Sequence, residues 1–199
     1  MKKLILLFVL GIVCLNLIVA GPFGIDMGQS LETLEKNGLN PVLFSENSPG
    51  YYSVSPKYTH SEFETYLVRI DRDEGVFFIK GIGKDIQDSG YGVNTQSHFN
   101  DIRKAIDGTY GHSNLESYLF PSSIWDEPRD WMMAIRQDER VLLAIWEKSD
   151  GSFYPGDIES IYLAADATSS SIGYLAIDYY GKFYERLLEK SKQVAAEVF

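Results

Sequence analysis

The sequence predicts an α+β fold, an antiparallel meander sheet with short helices packed on one face. Apolar segments rich in aromatic and β-branched residues arrive in runs, divided by turn formers, as VLFSEN, YYSV, ETYLVRI and GVFFIKGIG do over residues 42–83. Helical spacing occurs instead at segment starts and at the end of the chain. Strands in runs, rather than strictly alternating with helices, exclude a parallel βαβ arrangement. Residues 21–199 are expected to form a single α+β domain. Its two halves, 21–94 and 95–199, read as weak copies of one plan, a short helix then a meander, although no residue-level period runs through them.

The first twenty residues stand apart. Lys2 and Lys3 precede an almost wholly apolar run from Leu4 to Val19, and Ala20 supplies a small residue before Gly21 and Pro22. That order is a secretory signal peptide over 1–20, and the run is shorter than the roughly 20 residues a spanning helix needs. Export to the periplasm or the exterior is the expected localisation, with no membrane span after cleavage. Cys14, the one cysteine, lies inside this run after Val13 and so lacks the small residue a lipid-attachment site requires. Its removal leaves a chain with no disulfide, no thiol nucleophile and no thiolate metal site. A core must then carry stability alone, and about 180 residues suffice for one.

Each element can be placed in order. Residues Phe23 to Met27 read as a short extended piece, Ser30 as the cap of a helix carrying Leu31 and Leu34, and Asn37-Gly38 as its end. ETYLVRI and VFFIKGI form a hairpin around DRDEG. A glycine-containing linker leads to SHFNDIRKAIDGTYGH, where Phe99, Ile102, Ile106 and Tyr110 recur at helical spacing with Ser97 as cap and Gly111 as stop. DWMMAIRQ and RVLLAIWEK read as a second hairpin about Asp138 and Glu139, and IESIYLAAD and GYLAIDYY as strands joined by TSSS. A closing amphipathic helix sets Phe183, Leu187, Leu188 and Val194 on one side.

The formal net charge is -10, which disfavours nucleic-acid backbones and anionic lipid surfaces. His60, His98 and His112 have no ligand-spaced partners, so no metal and no cofactor is expected. No G-x-S-x-G occurs, the glycines of GIGKDI and GYG fit no phosphate-binding spacing, and Asp71-Arg-Asp73-Glu74-Gly75 reads as hairpin-turn carboxylates rather than a calcium loop.

The densest stretch is SSIWDEPRDWMM. Asp126, Glu127 and Asp130 beside Trp125 and Trp131 are residue types that a sugar site uses, acids to exchange protons and flat rings to hold the ligand. Arg129 would hold a neighbouring carboxylate ionised, and carboxylates adjacent in one loop seldom face each other across a cleft. The reading favoured here is a loop whose tryptophans anchor it and whose charges stay in water. Trp125, Asp126, Glu127, Arg129, Asp130 and Trp131 are then binding residues for another envelope or secreted protein, with no catalytic residue assigned. The alternative is a carbohydrate- or peptidoglycan-acting hydrolase that uses these carboxylates.

FGIDMGQSLETLEKNG, with the pattern FG-x-x-x-G-x-S-L-E, together with GIGKDI, GYG, the helix ending TYG and SIWDEPRDWMM, resembles a group of small exported bacterial proteins of unknown function. The resemblance implies export and an antiparallel fold, and it brings no catalytic residue. A looser likeness is to β-lactamase inhibitor proteins and the small lipoproteins of outer-membrane assembly, which share G-M-[ST]-x-x-x-[VL] before a meander. Gly28, Ser30 and Leu34 fit that pattern while Gln29 replaces its methionine. This likeness implies a protein-binding sheet.

Overall fold

The structure, a computed structural model, describes residues 21–45 and 50–196. The expected signal peptide and Cys14 lie outside the described residues, as does the side chain of Val194. The described strands are β1 (Val42–Leu43), β2 (Tyr51–Ser53), β3 (Phe63–Asp71), β4 (Gly75–Gly83), β5 (Ile86–Gln87), β6 (Asn114–Leu119), β7 (Arg140–Glu147), β8 (Ile158–Ser169) and β9 (Ile172–Gly181). They form one antiparallel sheet in the order β1-β2-β3-β4-β9-β8-β7-β6, with β5 also on β9. Two sequence-contiguous meanders therefore meet at a seam, where Ile79 faces Tyr179 and Gly81 faces Ile177. Lys80 and Asp178 bridge that seam at 2.9 Å.

Strand periodicity assigns the two faces. On the first face Val68, Ile79, Ile161, Leu163, Leu175 and Ile177 are buried beneath α1 (Leu31–Lys36), α2 (Val93–Tyr110) and α3 (Trp131–Arg136). Ser30 caps α1 as expected, accepting from the Thr33 amide at 3.2 Å. The closing helix α4 (Tyr184–Ala196) departs from the one-face expectation and takes the second face. Phe77 and Phe78 explain how: Arg69 faces Phe78 and Ile70 faces Val76, so Phe77 is the extra residue of a bulge in β4, and both rings point the same way, where Leu187, Tyr180 and Tyr184 join them. Arg186 and Lys190 then tie α4 to the β3–β4 turn, at 2.6 Å to Glu74 and 3.0 Å to Asp71.

Three further expectations are corrected. Phe23 to Met27 does not run as one extended piece: Pro22–Gly24 is a 3-10 turn, with Phe23 at φ 58° and Gly24 at φ 78°. The strained backbone at Phe23 accompanies an edge-on ring contact at 4.7 Å with Tyr66. Helix α2 begins at Val93, so Ser97 lies inside it. Asp88 does the capping work from upstream, accepting from the Thr95 amide at 2.7 Å and its hydroxyl at 2.8 Å. DWMMAIRQ is not a strand, because residues 131–136 are helical. Trp131, Met132, Ala134 and Ile135 are buried at i, i+1, i+3 and i+4, a helical stripe.

Gly108 sits exposed in the last turns of α2 with nothing within 4 Å of where a Cβ would stand. Its backbone is helical, so only unfolded-state entropy is at stake. Gly108→Ala should raise stability by about 0.5–1 kcal/mol, read as a higher urea midpoint at unchanged slope.

Candidate functional site

The Trp125–Trp131 segment divides into an anchor and a solvated part. Trp131 is buried at the start of α3 and its ring covers Gly92, where a Cβ would come within 2.0 Å of Cε3. Gly90 is equally close to the segment: a Cβ there would meet the Arg129 carbonyl oxygen at 2.2 Å, and the Gly90 carbonyl accepts from the Met132 amide at 3.0 Å. The GYG linker is thus the seat on which this segment rests. Trp125 and Asp130 are half-buried, while Asp126, Glu127 and Arg129 are exposed. Glu127 and Arg129 pair with one another at 2.9 Å across a short 3-10 turn begun by Pro128.

A cavity lies elsewhere, on the second face between α4, the loop after β7 and strands β8 and β9. It encloses about 560 Å³ and is lined by Tyr162, Tyr180 and Tyr184, with Glu147, Glu159 and Glu185 among its other residues. Alternation along the strands makes the arrangement. Tyr162 on β8 and Tyr180 on β9 project to the same face, two positions apart in register, because Tyr162 faces Asp178 and Ser160 faces Tyr180. Tyr184, the first residue of α4, closes the row. Ring centroids are 5.0 Å apart for Tyr162 and Tyr180, and 4.6 Å for Tyr180 and Tyr184, both edge to face.

Negative potential collects here. The Tyr162 hydroxyl donates to Glu147 at 2.9 Å, and its pKa is pushed up to about 12 by burial first, then by that bond and by the charges of Glu147, Glu116 and Glu185. Burial and the neighbouring Asp178 raise the Tyr180 phenol as well. These phenols stay neutral throughout the physiological range and present rings and hydroxyls. Among the described residues Lys148 is the one cation in the lining, and its ammonium is engaged: it donates to the Phe153 carbonyl at 2.8 Å and lies 5.0 Å over the Tyr154 ring.

The three histidines do not assemble. His98 Nδ1 lies 2.7 Å from Glu62 at a half-exposed surface, and His60 packs edge-on to Phe63. Among the described residues no three of His, Cys, Asp and Glu gather as metal ligands, and no helix is long and apolar enough to cross a membrane. Within these observations the chain is an α+β protein with an open antiparallel sheet, two helix-covered regions and a tyrosine-lined cavity on the second face. Comparison with known protein families, with curated proteins and with solved structures finds no match in any of the three.

The tyrosine row was missed by motif reasoning because its members come from β8, β9 and α4. The signal that could have found it is the alternation in IYLAAD and AIDYY, which puts Tyr162 and Tyr180 on one face of the sheet and Tyr179 on the other.

Proposed function

We propose that the protein is an exported binding module, without catalytic residues of its own, that holds another envelope or secreted protein through the second face of its sheet. Residues 1–20 support export by their order of charge, apolar run and small residue. The observation that carries the binding reading is the cavity: three neutral tyrosines beside three glutamates, with Lys148, the one lining lysine among the described residues, engaged nearby. Ring faces and carboxylates together suit an organic cation, the ammonium or guanidinium of a partner side chain. Trp125 and the exposed Asp126, Glu127 and Arg129 offer a second contact, on a segment seated by the buried Trp131 and the Gly90–Met132 hydrogen bond.

The test is a calorimetric titration with a short lysine- and arginine-rich peptide, against a glutamate-rich one of equal length. Binding is expected for the basic peptide only. Tyr162→Ala should weaken it about tenfold, the loss of one cation–ring contact and its desolvated neighbour. Trp125→Ala serves as the comparison for the loop, whereas Trp131→Ala would report on folding instead. Equal affinity for both peptides, or an unchanged constant in Tyr162→Ala, would remove the cavity from the reading.

A further inference from the structure

Strand β6 ends the described sheet, and its backbone shows which groups it leaves open. The Phe120 amide donates to the Glu139 carbonyl at 2.8 Å. The β6–β7 register continues from that pair, with Leu119 opposite Arg140 and Tyr118 opposite Val141. In an antiparallel ladder, bonded and unbonded residue pairs alternate. Residues 114, 116, 118 and 120 therefore turn their amides and carbonyls toward β7. Leu115, Ser117 and Leu119 turn theirs to the open edge.

That edge carries few of the features that keep edge strands apart. Asn114–Leu119 has no proline, no lysine and no register shift against β7. Glu116 is its one charge. Leu115 is 49 % exposed, Tyr118 44 % and Phe120 41 %, the last two rings meeting edge to face at 5.4 Å.

The strand is complementary to itself. A two-fold pairing with Ser117 opposite Ser117 sets outward-facing residues against one another, so the amides and carbonyls of Leu115, Ser117 and Leu119 are all satisfied. It also matches the side chains, with Leu115 against Leu119 on the helix-covered face and Glu116 against the Tyr118 hydroxyl on the other. Sliding by two residues one way, the smallest shift that keeps outward-facing residues paired, puts Glu116 directly opposite Glu116, two like charges in contact. Sliding the other way pairs Glu116 with Phe120 and brings Pro121, which has no amide hydrogen, opposite Leu115.

We propose that two copies of the chain associate edge to edge, β6 on β6 in antiparallel register centred on Ser117, to make one sheet across two molecules. With a net charge of -10 on each copy, general repulsion opposes the contact, so the dimer should tighten as salt rises toward a few hundred millimolar.

Sedimentation equilibrium of the purified chain tests this, in low and in raised salt. Twice the mass of the purified chain, with the dimer favoured by salt, is the expected result. Ser117→Pro removes one outward amide and leaves the ladder to β7 intact, a position where edge strands accept proline. It should be monomeric with an unchanged circular dichroism spectrum. Ser117→Lys sets two ammonium groups opposite each other and should raise the dimer dissociation constant at least about tenfold. It decides the matter if the proline variant does not fold. A chain that stays monomeric at both salts, or a dimer that survives the substitution at Ser117, overturns the proposal.

Discussion

Gly92→Ala is expected to destabilise the protein by about 2–5 kcal/mol. The backbone there has φ 67°, which costs a residue with a Cβ roughly 1–2 kcal/mol. The added methyl would also stand 2.0 Å from the Trp131 ring, which must move and leave its packing against the core, at a further cost of about 1–3 kcal/mol. A urea titration reads the loss as a lower midpoint, and the near-ultraviolet dichroism of Trp131 should weaken with it. A midpoint within error of the parent would mean that the GYG linker does not seat the tryptophan. Gly108→Ala, with open space and helical backbone, provides the opposite sign on the same chain.

Trp146→Ala should cost about 3–5 kcal/mol, the range for emptying a large aromatic site. Trp146 is wholly buried on β7, and its indole N–H is shared between the Asp107 carboxylate at 3.0 Å and the Gly111 carbonyl at 2.9 Å. The ring thus ties the C-terminal end of α2 to the sheet. Burial pushes the Asp107 pKa up, but the Ser113 amide, the indole and the charge of Arg103 outweigh it and hold the carboxyl below its ordinary range. A group lowered in the folded state stabilises above its unfolded pKa, near 3.9, and that contribution disappears as pH falls through the folded value. Trp146→Phe keeps most of the packing and deletes the N–H. Its stability should therefore fall less steeply than the parent's on acidification below about pH 5, as thermal midpoints across that range would show. Parallel acid limbs in the two proteins would remove the indole from the account.

The strand runs on either side of the seam were readable because their burial alternates or is continuous: β4 is covered on both faces and β9 alternates buried and half-buried along its whole length. Helix α3 was misread for a local reason. WMMAIR is short and apolar, and such runs do not distinguish strand from helix by composition. Only the buried Trp131, Met132, Ala134 and Ile135 spacing does, and it competes with the turn residues Asp138 and Glu139 that suggest a hairpin. Strand β6 was illegible for the opposite reason, because five of its six residues are exposed and no buried face imposes a pattern. The one-face expectation for the helices failed at a single bulge. Phe77 and Phe78 lie on the same side of β4, and no sequence period shows that. Of the site, the segment holding Trp125 and Trp131 was visible as chemistry, but its division into an anchored half and a solvated half needed Gly90 and Gly92 brought beneath it. Tyr162, Tyr180 and Tyr184 became neighbours only through β8–β9 register and the turn into α4.

The seam between the meanders also sets an order of events during synthesis. Lys80 and Asp178 are 98 positions apart, and β4 is the last long strand of the first meander. When a ribosome has made the first half, Val76 to Gly83 already presents an apolar, hydrogen-bonding border whose proper neighbour has not yet been translated. In that condition slow collapse of the first meander keeps the border from wrong partners until β9 arrives.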